Sequence, residues 1–195
     1  MRTPTLAFAA ATLAAAVLAP VPVLAAQPGP DLPEVRTDVA LQVTGAWAGR
    51  ISFGMRTTGV ARAQRPLPLQ MQLSRTACDM TGCMTTEIVI DPASGVPGVT
   101  RVAAGLSSAA LQRTTVAATV RRVVNGNVVA QHPAMVVVEV RAKRSGDVVK
   151  RTTLTQGPAG EVLTVARIAT IRATVTLGDD TLAATGELTR TQIVD

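Results

Sequence analysis

From Val35 onward the chain is strand-like to its end, and in several stretches apolar and polar side chains alternate with a period of two. Val138, Val140 and Ala142 interleave with Glu139, Arg141 and Lys143. Such a period sends successive side chains to opposite faces of a strand. It predicts strands over Val39–Thr44, Trp47–Met55, Leu67–Ser74, Thr85–Ile90, Thr114–Val124, Met135–Lys143, Val148–Thr155, Val162–Leu177 and Leu182–Ile193. Val162–Leu177 alternates for its whole length, so that strand is expected to bend or to serve two sheets. Only Ser107–Gln112 reads as a single helical turn.

The connections have mechanisms of their own. Asn125-Gly126 separates two valine pairs, and Asn-Gly tolerates positive φ at both central positions of a hairpin turn. Ser145-Gly146-Asp147 and Gly178-Asp179-Asp180 are predicted as further hairpin turns, and Asp91–Gly98 as a longer loop. Many short strands joined by such turns suggest an antiparallel β-sandwich of about seven to ten strands. The alternative is a closed up-and-down β-barrel.

The first 34 residues read differently. Arg2 is followed by an apolar run, Leu6–Ala19, then by Pro20 and Pro22, then by the small-residue exit Val23-Leu24-Ala25. That order is the pattern of a cleavable secretory signal peptide over residues 1–26. The apolar run falls short of the ~20 residues that span a bilayer, so no transmembrane segment is expected in the mature chain. No pair of arginines stands near the start, so export by the general secretory route and an extracellular location are expected. Residues 27–34, with three prolines and a glycine, form an extended leader. Residues 35–195 then make one all-β domain.

Composition narrows the function. The chain holds one Trp, two Phe and no Tyr. Stacking on single-stranded nucleic acid and aromatic carbohydrate platforms both need such rings. No sequence-specific nucleic-acid partner is therefore expected. The formal net charge is +6 and the cations are nearly all Arg, with only Lys143 and Lys150 as lysines. Catalytic patterns are missing. There is one His, no Gly-x-Ser-x-Gly elbow, and no Gly-rich phosphate loop between a strand and a helix, so no catalytic residue and no cofactor is assigned.

Four features remain. Cys78 and Cys83 stand four residues apart, wider than the Cys-x-x-Cys redox spacing, and are expected to close a structural disulfide of about 2 kcal/mol. Met80, Met84, His132 and Met135 are soft ligand types that copper(I) accepts. They lie in two distant groups, and cysteines joined in a disulfide are not ligands, so no metal site is assigned. Arg141, Lys143, Lys150 and Arg151 flank the predicted Ser145-Gly146-Asp147 turn. A hairpin there would concentrate them into one basic face suited to an acidic protein or an anionic polymer. Last, Gly45-Ala46-Trp47, within Val43–Gly49, resembles the Gly-x-Trp signature near the first strand of lipocalins and avidin-like barrels. The resemblance covers three residues and no Thr-Asp-Tyr stretch accompanies it. It implies a closed barrel in which Trp47 lines or closes a cavity for a small apolar ligand.

The expectation is thus a secreted, non-enzymatic β-domain that binds a protein or an anionic polymer. A lipocalin-like carrier of a small apolar ligand is the alternative.

Overall fold

The computed structural model describes residues 34–58, 63–90, 100–103, 105–157 and 160–194. The predicted signal peptide, nearly all of the leader and the Asp91–Gly98 loop lie outside them. The described residues carry nine strands and no helix: β1 (Val35–Thr44), β2 (Ala48–Thr58), β3 (Ala63–Asp79), β4 (Gly82–Ile90), β5 (Thr100–Val102), β6 (Ser108–Val124), β7 (Asn127–Gly157), β8 (Gly160–Leu177) and β9 (Asp180–Val194). All pair antiparallel in one sheet. The all-β antiparallel expectation holds, and Ser108–Gln112 is strand rather than the predicted helical turn.

The ladders run in a circuit. Each of β1 to β4 pairs with its neighbour, β4 pairs with β6, β6 to β9 continue in order, and β9 returns to β1. β5 lies beside the start of β6, along the stretch that β4 does not reach. Pairing on both sides leaves few exposed edges on which another chain could add a strand.

One phase of every strand fills the core. β1 buries Val39, Leu41 and Val43 while Ala40 and Gln42 face out. β3 buries Leu69, Met71 and Leu73, β7 buries Val138, Val140 and Ala142, and β8 buries Ala169, Ile171 and Val175. Burying one such aliphatic side chain contributes roughly 1.5–3 kcal/mol. With so few aromatic rings, the core depends on many interleaved Val, Leu, Ile and Ala side chains.

Bulges keep that phase where strict alternation would lose it. In β6, Leu111 pairs with Val140 but Thr114 pairs with Val138, so β6 carries one extra residue. Both Leu111 and Val116 consequently face inward, although they stand five positions apart, an odd offset. A larger insertion explains the one predicted turn that is not there. Arg144 pairs with Ile171 and Val148 with Ala169, so Ser145-Gly146-Asp147 bulges within a continuous β7 and reverses nothing. The physical reason is β8: its alternation runs unbroken, so it templates the β7 segments on both sides of the insertion. The 31-residue β7 pairs with β6 along its first half and with β8 along its second.

The strands coil tightly where they pass closest. At Gly186 an added Cβ would lie 1.9 Å from the Ala40 carbonyl oxygen, and at Gly49 it would lie 2.1 Å from that of Gln72. Trp47, on the β1–β2 connection, is buried at this end of the core. Its indole Nε1–H donates to Asp180 Oδ2 at 2.9 Å, tying that connection to the β8–β9 turn. Among the described residues no helix is long and apolar enough to cross a membrane.

Gly186→Ala is expected to destabilise the fold by at least about 2 kcal/mol, because the new methyl meets backbone that cannot step aside. Gly146→Ala, whose Cβ would lie 3.6 Å from Thr170 Cβ, should be neutral or mildly stabilising. Denaturant unfolding of the two variants checks both signs.

Candidate anion-binding face

Beyond the core, the inward phase of β7, β8 and β9 changes character. The last core row runs Val148, Ala169, Leu188, Val39, Phe53 across β7, β8, β9, β1 and β2. Two residues further along, the same phase runs Lys150, Arg167, Arg190, Thr37, Met55. Lys150 is directly opposite Arg167, and Arg167 directly opposite Arg190. Three cations thus stand side by side on adjacent strands, spaced by about 4.8 Å. A cleft of about 310 Å³ opens over them, with Val165 and Gln192 completing its lining. A second cleft of about 310 Å³ shares Lys150 and Arg167 and reaches down to Gly105, Leu106 and Val148.

The floor of that second cleft is constrained. Leu106 is buried and holds φ at 55°, a left-handed conformation costly for a leucine. Backbone bonds from Leu106 N to Ala103 O and from Ala103 N to Ser108 O fix the turn, and Arg144 N to Ser107 O anchors it to β7. The leucine side chain covers the core beneath the cations.

Directly opposed like charges repel, by up to about 1 kcal/mol per pair. Three ion pairs are described, Arg36 with Asp38, Arg56 with Glu34 and Arg141 with Glu139, and none involves Lys150 or Arg167. Lys150 directly opposite Arg167 is an arrangement that an anion would relieve.

The predicted basic face is redistributed by the β7 bulge. Arg141, Lys143, Lys150 and Arg151 lie on one strand, not on two adjacent ones. Arg141 Nε donates to Glu139 Oε1 at 2.6 Å. Lys143 faces outward, opposite Arg172, and Arg151 faces outward, opposite Ala166. Only Lys150 joins the inward row. Arg167 and Arg190 were not singled out from sequence, yet a signal exists. Each occupies the apolar phase of an alternating strand, Arg167 in register with Ala169 and Ile171, Arg190 with Leu188.

The other candidates are placed as follows. Cys78 and Cys83 are directly opposite on β3 and β4 and form a disulfide. The turn between them is organised by Asp79, whose Oδ1 accepts from Thr81 N (2.7 Å), Thr81 Oγ1 (2.6 Å) and Gly82 N (3.1 Å). The Thr81 hydroxyl, and after it the Thr81 and Gly82 amides, hold the Asp79 carboxyl below its usual range. Met80 and Met135 are exposed, as is His132, which sits opposite Val120. Met84 sits opposite Val124. Four residues of β6 separate those two pairings, so Met84 and His132 lie about 13 Å apart along the strands. Among the described residues no cluster of three or more His, Cys, Asp or Glu is suited to a metal ion. A shallow concavity of about 600 Å³ on the outer faces of β9, β1, β2 and β3 is walled by Gln42, Gln70, Gln72, Arg50 and Glu187 and lacks concentrated charge. Comparison with protein-family models, characterised proteins and solved structures finds no match to this chain.

Two outcomes are expected. Arg167→Thr should stabilise the free protein by about 0.5–1 kcal/mol at low salt, since it removes the repulsion with Lys150 directly opposite. Thermal unfolding at low and high salt checks this, and the gain should shrink as screening increases. Because the Asp79 carboxyl is lowered in the folded state, its contribution is complete above the ordinary value of about 3.9 and lost only as pH falls through the lower folded value. The amide resonances of Thr81 and Gly82 should therefore stay fixed from neutral pH to about pH 4 and move together only below it.

Proposed function

We propose that this chain is an exported binding module that holds an anionic partner, an acidic polymer or the acidic face of a protein, on the Lys150–Arg167–Arg190 row. The observation that carries the reading is the placement of three directly opposed cations in the inward phase, under an open cleft. Arg36 and Arg141 are paired with Asp38 and Glu139, whereas Lys150 and Arg167 take part in none of the described ion pairs. Here the strand register compels the cations together at a cost to stability. Guanidinium groups in a row suit carboxylate, sulfate or phosphate oxygens, which they bind in bidentate fashion. Lys143 and Arg172, directly opposed on the outward phase of β7 and β8, extend the positive field on the neighbouring face. Export is supported by the N-terminal charge and hydropathy pattern, and the Cys78–Cys83 disulfide suits an oxidising compartment.

Retention on immobilised heparin, used as a generic polyanion, tests the reading. Lys150→Ser/Arg167→Ser/Arg190→Ser should elute at clearly lower salt than the parent. Arg36→Ser/Arg141→Ser, which removes two cations already paired with carboxylates, should elute close to it. Equal loss in both variants would assign binding to net charge alone and remove the row as a site.

A further inference from the structure

The end of the sheet opposite the cation row carries a second feature, independent of that reading. Because β4 pairs with β6, the β3–β4 and β6–β7 turns lie side by side. Both turns are built to hold their shape. The first is closed by the Cys78–Cys83 disulfide and by the Asp79 hydrogen bonds. The second places Asn125 at φ 52° and Gly126 at φ 80°, the positive pair that a tight hairpin requires. Yet these stiff tips present apolar side chains to water. Met80 is fully exposed at the first turn, Val128 and Val129 are more than half exposed beside the second, and Met84 is 40% exposed between them.

Their directions decide what covers them. Met84 is in the inward phase, in register with Thr86 and Ile88. Val128 pairs with Val123, in the outward phase of β6. Val129 is the extra residue of a bulge, since Arg122 pairs with Ala130 and Val123 with Val128. Met80 stands in the turn itself and is fully exposed. The tips are apolar on both faces and at the extremity, so no single flat partner face covers them, whereas a fluid apolar phase surrounds them. Of the exposed apolar residues of the other end, Leu154 sits in the opposite phase of β7 to Val149, and Ile193, opposite Thr164, lies four residues of β8 from the Val149–Ile168 pair, so they form no such cap.

Charge follows in the order a lipid surface needs. One row behind Met84, the inward phase runs Arg75, Thr86, Arg122 across β3, β4 and β6. Two residues of strand set these arginines about 7 Å behind the apolar row. An apolar face enters the acyl boundary by about 5–10 Å, which leaves the arginines at the level of the headgroups. Asp79, the acidic group at the extremity, is exposed, and its Oδ1 accepts three hydrogen bonds from Thr81 and Gly82 of the same turn. Arg121 faces Glu87 across the strands and adds no net charge.

We infer that the paired hairpin tips, Met80–Met84 and Val128–Val129, insert into the surface of an anionic lipid bilayer, with Arg75 and Arg122 engaging its headgroups. The test is flotation of the purified exported chain with vesicles of phosphatidylcholine alone and of equimolar phosphatidylcholine and phosphatidylglycerol. The parent should float with the mixed vesicles and not with phosphatidylcholine. Met80→Ser/Val128→Ser/Val129→Ser should lower partitioning by about tenfold or more, and Arg75→Ser/Arg122→Ser by a similar factor. All three chains share one N-terminus, so differences between them report the tips alone. The substitutions lie on exposed positions, and unchanged emission from buried Trp47 verifies that each variant is folded. Failure of the parent to bind mixed vesicles would overturn the inference, as would a tip variant that floats like the parent. Loss in the arginine variant alone would reduce the contact to adsorption of charge and would overturn insertion.

Discussion

The constraint on which this structure depends is the inward phase. Every strand must present the same alternate side chains to one core while the strands themselves run well beyond it. A 31-residue strand measures about 100 Å if fully extended, far more than a single aliphatic core needs. The chain resolves this by coiling β9, β1, β2 and β3 through close approaches at Gly186 and Gly49, and by shifting register at bulges. The extra residue near Gln112 corrects phase and lets Leu111 and Val116 share the core, whereas the insertion at Ser145–Asp147 adds two residues and so leaves Ala142 and Val148 in the same inward phase. A flawed register would turn whole segments inside out.

The same constraint produces both candidate surfaces. Past the last core row, inward-phase side chains are no longer covered, and whatever residues occupy those positions are held in register by strands whose other ends are buried. Lys150, Arg167 and Arg190 are therefore aligned by Val148, Ala169 and Leu188 two residues away. Arg75 and Arg122 are aligned by Leu73, Ile88 and Val120 in the same manner. Side chains mounted on rigid ladders lose little freedom when they meet a ligand, which is where preorganised sites gain affinity.

Much of this was legible along the chain. Period-two alternation located strands within every long ladder, Asn125-Gly126 marked a true hairpin, and the short cysteine spacing marked the disulfide. Ser145-Gly146-Asp147 misled because its local chemistry is that of a turn; only the uninterrupted alternation of β8, a partner distant in sequence, makes it a bulge. Trp47 was visible as a core residue, but its hydrogen bond to Asp180 spans 133 positions and has no local signature. The cation row was hidden for a similar reason. Arg167 and Arg190 are each one arginine among many until the register sets them opposite each other. The readable clue was narrower, a charged residue in the apolar phase of an alternating strand, and it applies equally to Arg75 and Arg122.

The two surfaces stand at opposite ends of one rigid core. Along β9, Arg190 and Leu182 are separated by about 26 Å, and the hairpin tips project further past the Leu182 end. At that distance, beyond the ~8 Å Debye length of physiological salt, charge at one end is screened from the other. Occupancy of the tips therefore leaves the field of the cation row unchanged. A chain lying tip-down on an anionic bilayer would direct the Lys150–Arg167–Arg190 cleft away from the lipid, and an acidic partner would meet it without competing for the same phosphates. Were both clusters on one face, a negatively charged membrane would occupy the row itself. Separation along the strand axis, set by the length of the core, would let one small basic domain hold the proposed lipid surface and the proposed acidic partner at the same time.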